Sequence, residues 1–119
     1  MRNCNRERMT KLVEALESGE FEQARGQLRI DDKFCCLGVA CEISGIGTWV
    51  DGYYQTANDY SFSVMPVDVV DYYGLDLGKD DMPLDGGSVA SALNDKGYSF
   101  TKISRRIRET YLEEDDDNA

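Results

Sequence analysis

Three of the chain's four cysteines fall in one apolar run, Phe34-Cys35-Cys36-Leu37-Gly38-Val39-Ala40-Cys41. Clustered cysteines point first to a metal or redox centre. Zinc sites use paired ligands at C-x2-C spacing, with further Cys or His elsewhere. Here the cysteines are adjacent or five and six residues apart, and the chain has no histidine. On a helix Cys36 and Cys41 would stand about 140° apart, at about 100° per residue, too divergent to share one ion. A reactive thiol needs exposure and a cationic neighbour, and a run this apolar belongs inside. The cysteines therefore read as small buried apolar residues, and neither a metal nor a cofactor is expected. On that reading, serine at Cys35 or Cys36 would reduce stability through a buried hydroxyl.

The missing histidine also excludes Ser-His-Asp and Cys-His nucleophiles. Carboxylates acting alone remain open to acid–base work, and Asp76, Asp80, Asp81 and Asp85 cluster in one stretch. Their order does not match a calcium-binding loop, so they read as a solvated acidic loop, with weak divalent-cation binding as the alternative. No phosphate-cradling loop is present: Gly45-Ile46-Gly47 lacks the flanking pattern, and no Lys follows Gly86-Gly87. No catalytic residue is expected, and the chain reads as a non-enzyme.

Charge is unevenly spread. The net charge is −10. Residues 1–34 are balanced, whereas residues 35–95 set Lys79 alone against ten acids. Residues 96–108 hold Lys96, Lys102, Arg105, Arg106 and Arg108 with no acid, and residues 109–119 hold six acids with no base. Such a field repels nucleic acid and anionic membranes and favours basic partners. The last basic cluster is the exception. Lys102, Arg105 and Arg106 would suit an anion or nucleotide phosphate, unless the acidic loop or tail neutralises them.

These groups need a scaffold. At 119 residues the chain is one domain, expected to span 1–112 with an acidic tail over 113–119. No stretch approaches the roughly 18 apolar residues of a membrane span. The polar N-terminus lacks a signal-peptide segment, so a cytosolic location is expected. Met9, Leu12, Val13 and Leu16 fall at helical spacing, and Ser18-Gly19 supplies a stop. Residues 21–30 read as a short helix or irregular segment. The apolar run reads as a helix over 34–44, capped by Asp31 or Asp32 and closed by Gly45. Thr48-Trp49-Val50, Asp51-Gly52, Tyr53-Tyr54-Gln55 reads as a β-hairpin, since Asp-Gly favours two-residue turns. A third strand near Tyr60 and Phe62 follows, then a helix with Pro66 in its first turn, a short helix over 88–93, and a last helix capped by Ser99. That helix would bury Phe100, Ile103, Ile107 and Tyr111. The expected fold is mainly α (α+β): one compact domain of four or five helices around a central apolar helix, with a small β-hairpin element.

The chain carries Gly26-Gln27-Leu28-Arg29, Phe34-Cys35-Cys36-Leu37-Gly38-Val39 with Cys41-Glu42, Met65-Pro66-Val67-Asp68-Val69, and Leu93-Asn94-Asp95 with Ser99-Phe100 and Ile103. In these elements the chain resembles a group of small, mostly uncharacterised bacteriophage and bacterial proteins. The third element departs from the group's L-P-x-x-V pattern, with Met65 in place of Leu. The resemblance implies a phage or bacterial origin and a compact fold, and carries no catalytic residues.

Trp49, Tyr53, Tyr54, Tyr60, Phe62, Tyr72 and Tyr73 enrich the middle of the chain in residues that dominate interface hot spots, though they would serve equally to cover the core. The expected function is a phage-type accessory protein in the host cytosol. It would bind, and inhibit, a host protein with a basic surface, such as a nucleic-acid-handling or defence factor. The expected contacts are Trp49, Tyr53, Tyr54, Asp76, Asp80, Asp81 and Asp85. The alternative is a nucleotide or signalling-molecule binder using Lys102, Arg105 and Arg106. An aromatic hairpin would serve a homodimer equally well.

Overall fold

The amphipathic stripe at the N-terminus forms helix α1 (Arg6–Glu17), with Met9, Leu12, Val13 and Leu16 all buried. Asn5 caps it, its side-chain oxygen accepting the Arg8 N–H at 3.1 Å. The computed structural model describes residues 3–113; all but the first residue of the expected acidic tail lies outside them.

The segment read as a short helix or irregular stretch over 21–30 is irregular over 24–28, with a two-residue strand on either side and no helix. Strands β1 (Glu22–Gln23), β2 (Arg29–Ile30) and β3 (Lys33–Phe34) are ordered β1-β3-β2. β1 runs parallel to β3 and β2 antiparallel to it. Gly26 breaks the helical spacing at φ 83°. Asp31-Asp32 is the two-residue turn between β2 and β3 rather than a helix cap, with Asp31 at φ 53°, a conformation Asp tolerates better than most residues.

Helix α2 (Cys36–Ser44) accordingly starts later than the apolar run, and Phe34 sits on β3. Its N-cap is Cys35, whose Sγ accepts the Gly38 N–H at 3.4 Å. Gly45 ends it at φ 69°. Seven of its nine residues are buried, so it is the central element, packed by α1 and by the helices that follow. Gly38 permits the closest of these approaches. A Cβ there would lie 1.8 Å from the Leu28 carbonyl oxygen, a separation no side chain could adopt without backbone movement.

A second sheet follows: β4 (Thr48–Val50), β5 (Tyr53–Gln55) and β6 (Tyr60–Ser61), antiparallel and in that order. Asp51 and Gly52 both hold positive φ, 51° and 85°, as the mirror-image hairpin turn requires. Helix α3 (Val67–Tyr72) has Pro66 just ahead of its first residue. α4 (Ala90–Asp95) begins two residues beyond Ser88 and takes in Asn94 and Asp95. α5 (Phe100–Ile107) is capped by Ser99, which accepts the Lys102 N–H at 3.2 Å. It runs on into a π-helical turn, Arg108–Leu112. That turn brings Thr110 and Tyr111 together onto the 83–85 loop. Thr110 Oγ1 accepts the Asp85 N–H at 3.0 Å, and the Tyr111 hydroxyl donates to the Pro83 carbonyl at 2.6 Å. Among the described residues the architecture is α+β: five α-helices and two small sheets around one core. Among the described residues, no helix is long and apolar enough to cross a membrane.

The Cys35 cap divides the two serine substitutions. A serine hydroxyl at position 35 would meet the Gly38 N–H and is a preferred cap. At position 36, in the first turn and buried, no such role is open. In urea unfolding, Cys35→Ser should hold or slightly raise stability, whereas Cys36→Ser should cost about 1–3 kcal/mol. Equal losses at both would contradict this geometry.

Candidate functional site

Strand alternation in the second sheet separates its aromatic residues into two sets. Counting out from the Asp51-Gly52 turn, Val50 pairs with Tyr53 and Trp49 with Tyr54. Tyr54 pairs in turn with Ser61, and Gln55 with Tyr60. Trp49, Tyr54 and Ser61 therefore share the inner face. Thr48, Val50, Tyr53, Gln55, Tyr60 and Phe62 share the outer one.

The inner face belongs to the core. Tyr54 is buried, and its hydroxyl accepts the Gly47 N–H at 2.8 Å. The Trp49 ring lies 4.8 Å from Tyr54 and 5.8 Å from Phe34, which in turn meets Phe21 at 5.5 Å. Trp49 Nε1–H donates to Glu42 on α2 at 2.8 Å, and the Arg29 guanidinium lies over the Phe34 and Trp49 rings. Tyr54 is thus a core residue, which takes its ring away from the partner surface expected for it. Trp49 is half-buried, packed against the core and hydrogen-bonded within the domain.

Among the described residues, nothing buries the outer face. Val50 is 46% exposed, Tyr53 38%, Tyr60 67% and Phe62 42%. Tyr53 is central, its ring 5.8 Å from Tyr60 and 5.2 Å from Phe62. Val50, Asp51, Tyr53, Gln55 and Tyr60 line an open depression of about 310 Å³. The backbone beneath is fixed at both ends. The Leu28 N–H donates to the Phe62 carbonyl at 2.6 Å, joining the two sheets. Asp59 accepts the Tyr60 and Val67 N–H groups, and Asp68 accepts from the Asn58 backbone and side chain. Hydrogen bonds from Thr56 and Asn58 hold the Asp68 carboxyl below its ordinary range.

The four acids of the expected loop do not form one surface. Asp76 and Asp80 are exposed, and Asp76 accepts the Gly78 N–H at 2.9 Å. Asp81 is buried. Its carboxylate accepts the Met82 N–H at 2.7 Å, the Ser91 N–H at 3.2 Å and the Ser91 hydroxyl. Its expected place in a solvated loop or at a partner surface is corrected for that reason. Asp85 lies against α5, where its carbonyl accepts from Arg106 at 2.6 Å.

The basic patch divides similarly. Arg106 reaches Asp85, while Arg108 donates twice to Glu17 on α1, at 2.8 and 2.9 Å. The Arg108 hydrogen bond holds the Glu17 carboxyl below its ordinary range. Lys102 and Arg105 remain exposed. Burial pushes the Cys35 thiol up to about 11 and the Cys36 and Cys41 thiols well above their ordinary value, so all three are protonated at neutral pH. Among the described residues, no group of three or more Cys, Asp and Glu is placed to hold a metal ion.

The chain belongs to the DUF8296 family. The family model, described as a domain of unknown function, matches residues 4–111. The match takes in α1 to α5 and both sheets. No curated protein and no solved structure matches the chain.

Of the residues expected to contact a partner, only Tyr53 sits on the outer aromatic face of this DUF8296 domain. Val50, Tyr60 and Phe62 join it there. The signal that would have found them is parity: with Asp51-Gly52 fixed as a two-residue turn, period-2 alternation already places Val50 and Tyr53 on one side and Trp49 and Tyr54 on the other. The split among the acids is measurable. Asp81→Ala should lower unfolding stability by about 2–3 kcal/mol, because it strands buried donors. Asp80→Ala should stay within about 0.5 kcal/mol. A mild effect at Asp81 would contradict its buried role.

Proposed function

We propose that the domain is a non-enzymatic binding protein that docks a partner protein on the outer face of the second sheet. One observation carries this reading. Val50, Tyr53, Tyr60 and Phe62 stand side by side in solvent on a backbone pinned at both ends. Neighbouring exposed aromatics of this kind form the anchors of protein interfaces, and a fixed backbone lowers the ordering cost of binding. The acidic charge of residues 35–95 favours a partner with a basic surface. With the resemblance to small phage proteins, the reading takes a specific form: a phage-type accessory protein that engages and inhibits a host protein in the host cytosol, with Asp76 and Asp80 adding long-range attraction.

Trp49, Tyr54 and Asp81 are left out of the contact set because each is engaged within the domain. The small-ligand alternative has less support. Arg106 is held by the Asp85 carbonyl, which leaves Lys102 and Arg105 as the two exposed charges of the expected set.

The test is a double substitution, Tyr53→Ser/Tyr60→Ser, on the solvent side of the sheet. It should leave the unfolding midpoint close to that of the parent protein. It should also weaken capture of a stoichiometric partner by about tenfold or more, on the scale of two hot-spot residues. Capture equal to that of the parent, at equal stability, would overturn the proposal.

A further inference from the structure

We propose that the depression on the outer face receives an arginine side chain from a basic segment of the partner protein. This rests on the docking reading above and names the chemistry at its centre. The walls are aromatic. Tyr53 and Tyr60 are inclined at 50° with centroids 5.8 Å apart, and Phe62 stands beyond Tyr53 at 54° and 5.2 Å. Ring faces set at such angles attract a cation placed within about 6 Å of their centroids. Asp51, an acid, and Gln55, a polar residue, lie on the same rim. Among the described residues, the Asp51 carboxylate has no ion-pair or hydrogen-bond partner. The positive φ values of Asp51 and Gly52 lock the turn that carries it.

The volume, about 310 Å³, lies at the small end of the range for small-molecule sites and suits one long side chain. Charge selects its sign, since residues 35–95 hold ten acids and only Lys79 as a base. The domain already uses this contact internally. Arg29 lies 5.4 Å over Phe34 and 5.6 Å over Trp49 on the inner face, and Arg8 lies 4.1 Å over Tyr72. Arginine is favoured over lysine because its planar, weakly hydrated guanidinium stacks on rings and pairs with a carboxylate at once.

The probes are hexa-arginine and hexa-lysine peptides, titrated calorimetrically into the intact protein at fixed salt. Hexa-arginine should bind more tightly than hexa-lysine. Tyr53→Leu/Tyr60→Leu keeps apolar bulk but removes the rings, and should weaken hexa-arginine by about tenfold. Asp51→Asn tolerates the positive φ and should also weaken it, whereas Glu7→Gln/Glu109→Gln, at exposed acids on α1 and in the π-helical turn, should change it less than about twofold. Hexa-arginine affinity that survives Tyr53→Leu/Tyr60→Leu, or that follows Glu7→Gln/Glu109→Gln instead, would overturn the proposal. If that happens while Tyr53→Ser/Tyr60→Ser still abolishes partner capture, the docking surface stands and the arginine site falls. Partner capture that survives Tyr53→Ser/Tyr60→Ser overturns both.

Discussion

One buried amide ties the two ends of this domain together. Asn94 on α4 has no solvent exposure. Its Nδ2 donates to the Ala24 carbonyl at 2.7 Å, while its Oδ1 accepts the Cys36 N–H at 3.1 Å and Gln23 Nε2–H at 3.0 Å. Asp95, the next residue, accepts the Gly26 N–H at 3.0 Å. The Cys36 amide is one of those that a helix start leaves without an intrahelical partner. The local cap, a cysteine sulfur, is a weak acceptor, so a side chain from a distant helix satisfies the next amide. The task needs a donor and an acceptor on one short side chain. Aspartate in its ionised form lacks the donor.

Three of the sequence elements singled out above make sense in these terms. Gly26 to Arg29, the cysteine run and Leu93-Asn94-Asp95 are distant in sequence and meet in space. The Leu28 carbonyl accepts the Cys35 N–H at 3.1 Å and lies where only a glycine at position 38 can pass. Leu28 also donates to Phe62. A continuous path therefore runs from the buried amide, through the first sheet, to the strand that presents the outer aromatic face. The cysteines are the packed end of that path: buried and protonated. The exposed aromatic residues lie at its other end.

What was legible in the sequence was local. The α1 stripe, the Gly45 stop, the Asp-Gly hairpin and the Ser99 cap each depend on residues within one or two turns, so spacing and turn preference reveal them. The first sheet was not legible, because two-residue strands carry no period to detect. The true start of α2 was hidden because cysteine is not a usual cap. Asn94 gave no sign of its role, since two of its partners lie 58 and 70 residues away in the chain. The candidate site shows the same limit. Tyr53 stood out by type and position, but exposure of Tyr53 against burial of Tyr54 follows from parity and from what packs beneath the sheet. Asp81 looked like its acidic neighbours until Ser91 came to face it.

The central claim is that the Asn94 cross-tie holds the scaffold on which the outer face is mounted. Equilibrium urea unfolding of Asn94→Ala tests it most directly, since the substitution strands the Cys36 N–H and the Ala24 carbonyl in the core. The account predicts a loss of about 2–6 kcal/mol, from two buried polar groups at about 1–3 kcal/mol each. A loss below about 1 kcal/mol, within the range of an ordinary substitution, would contradict it.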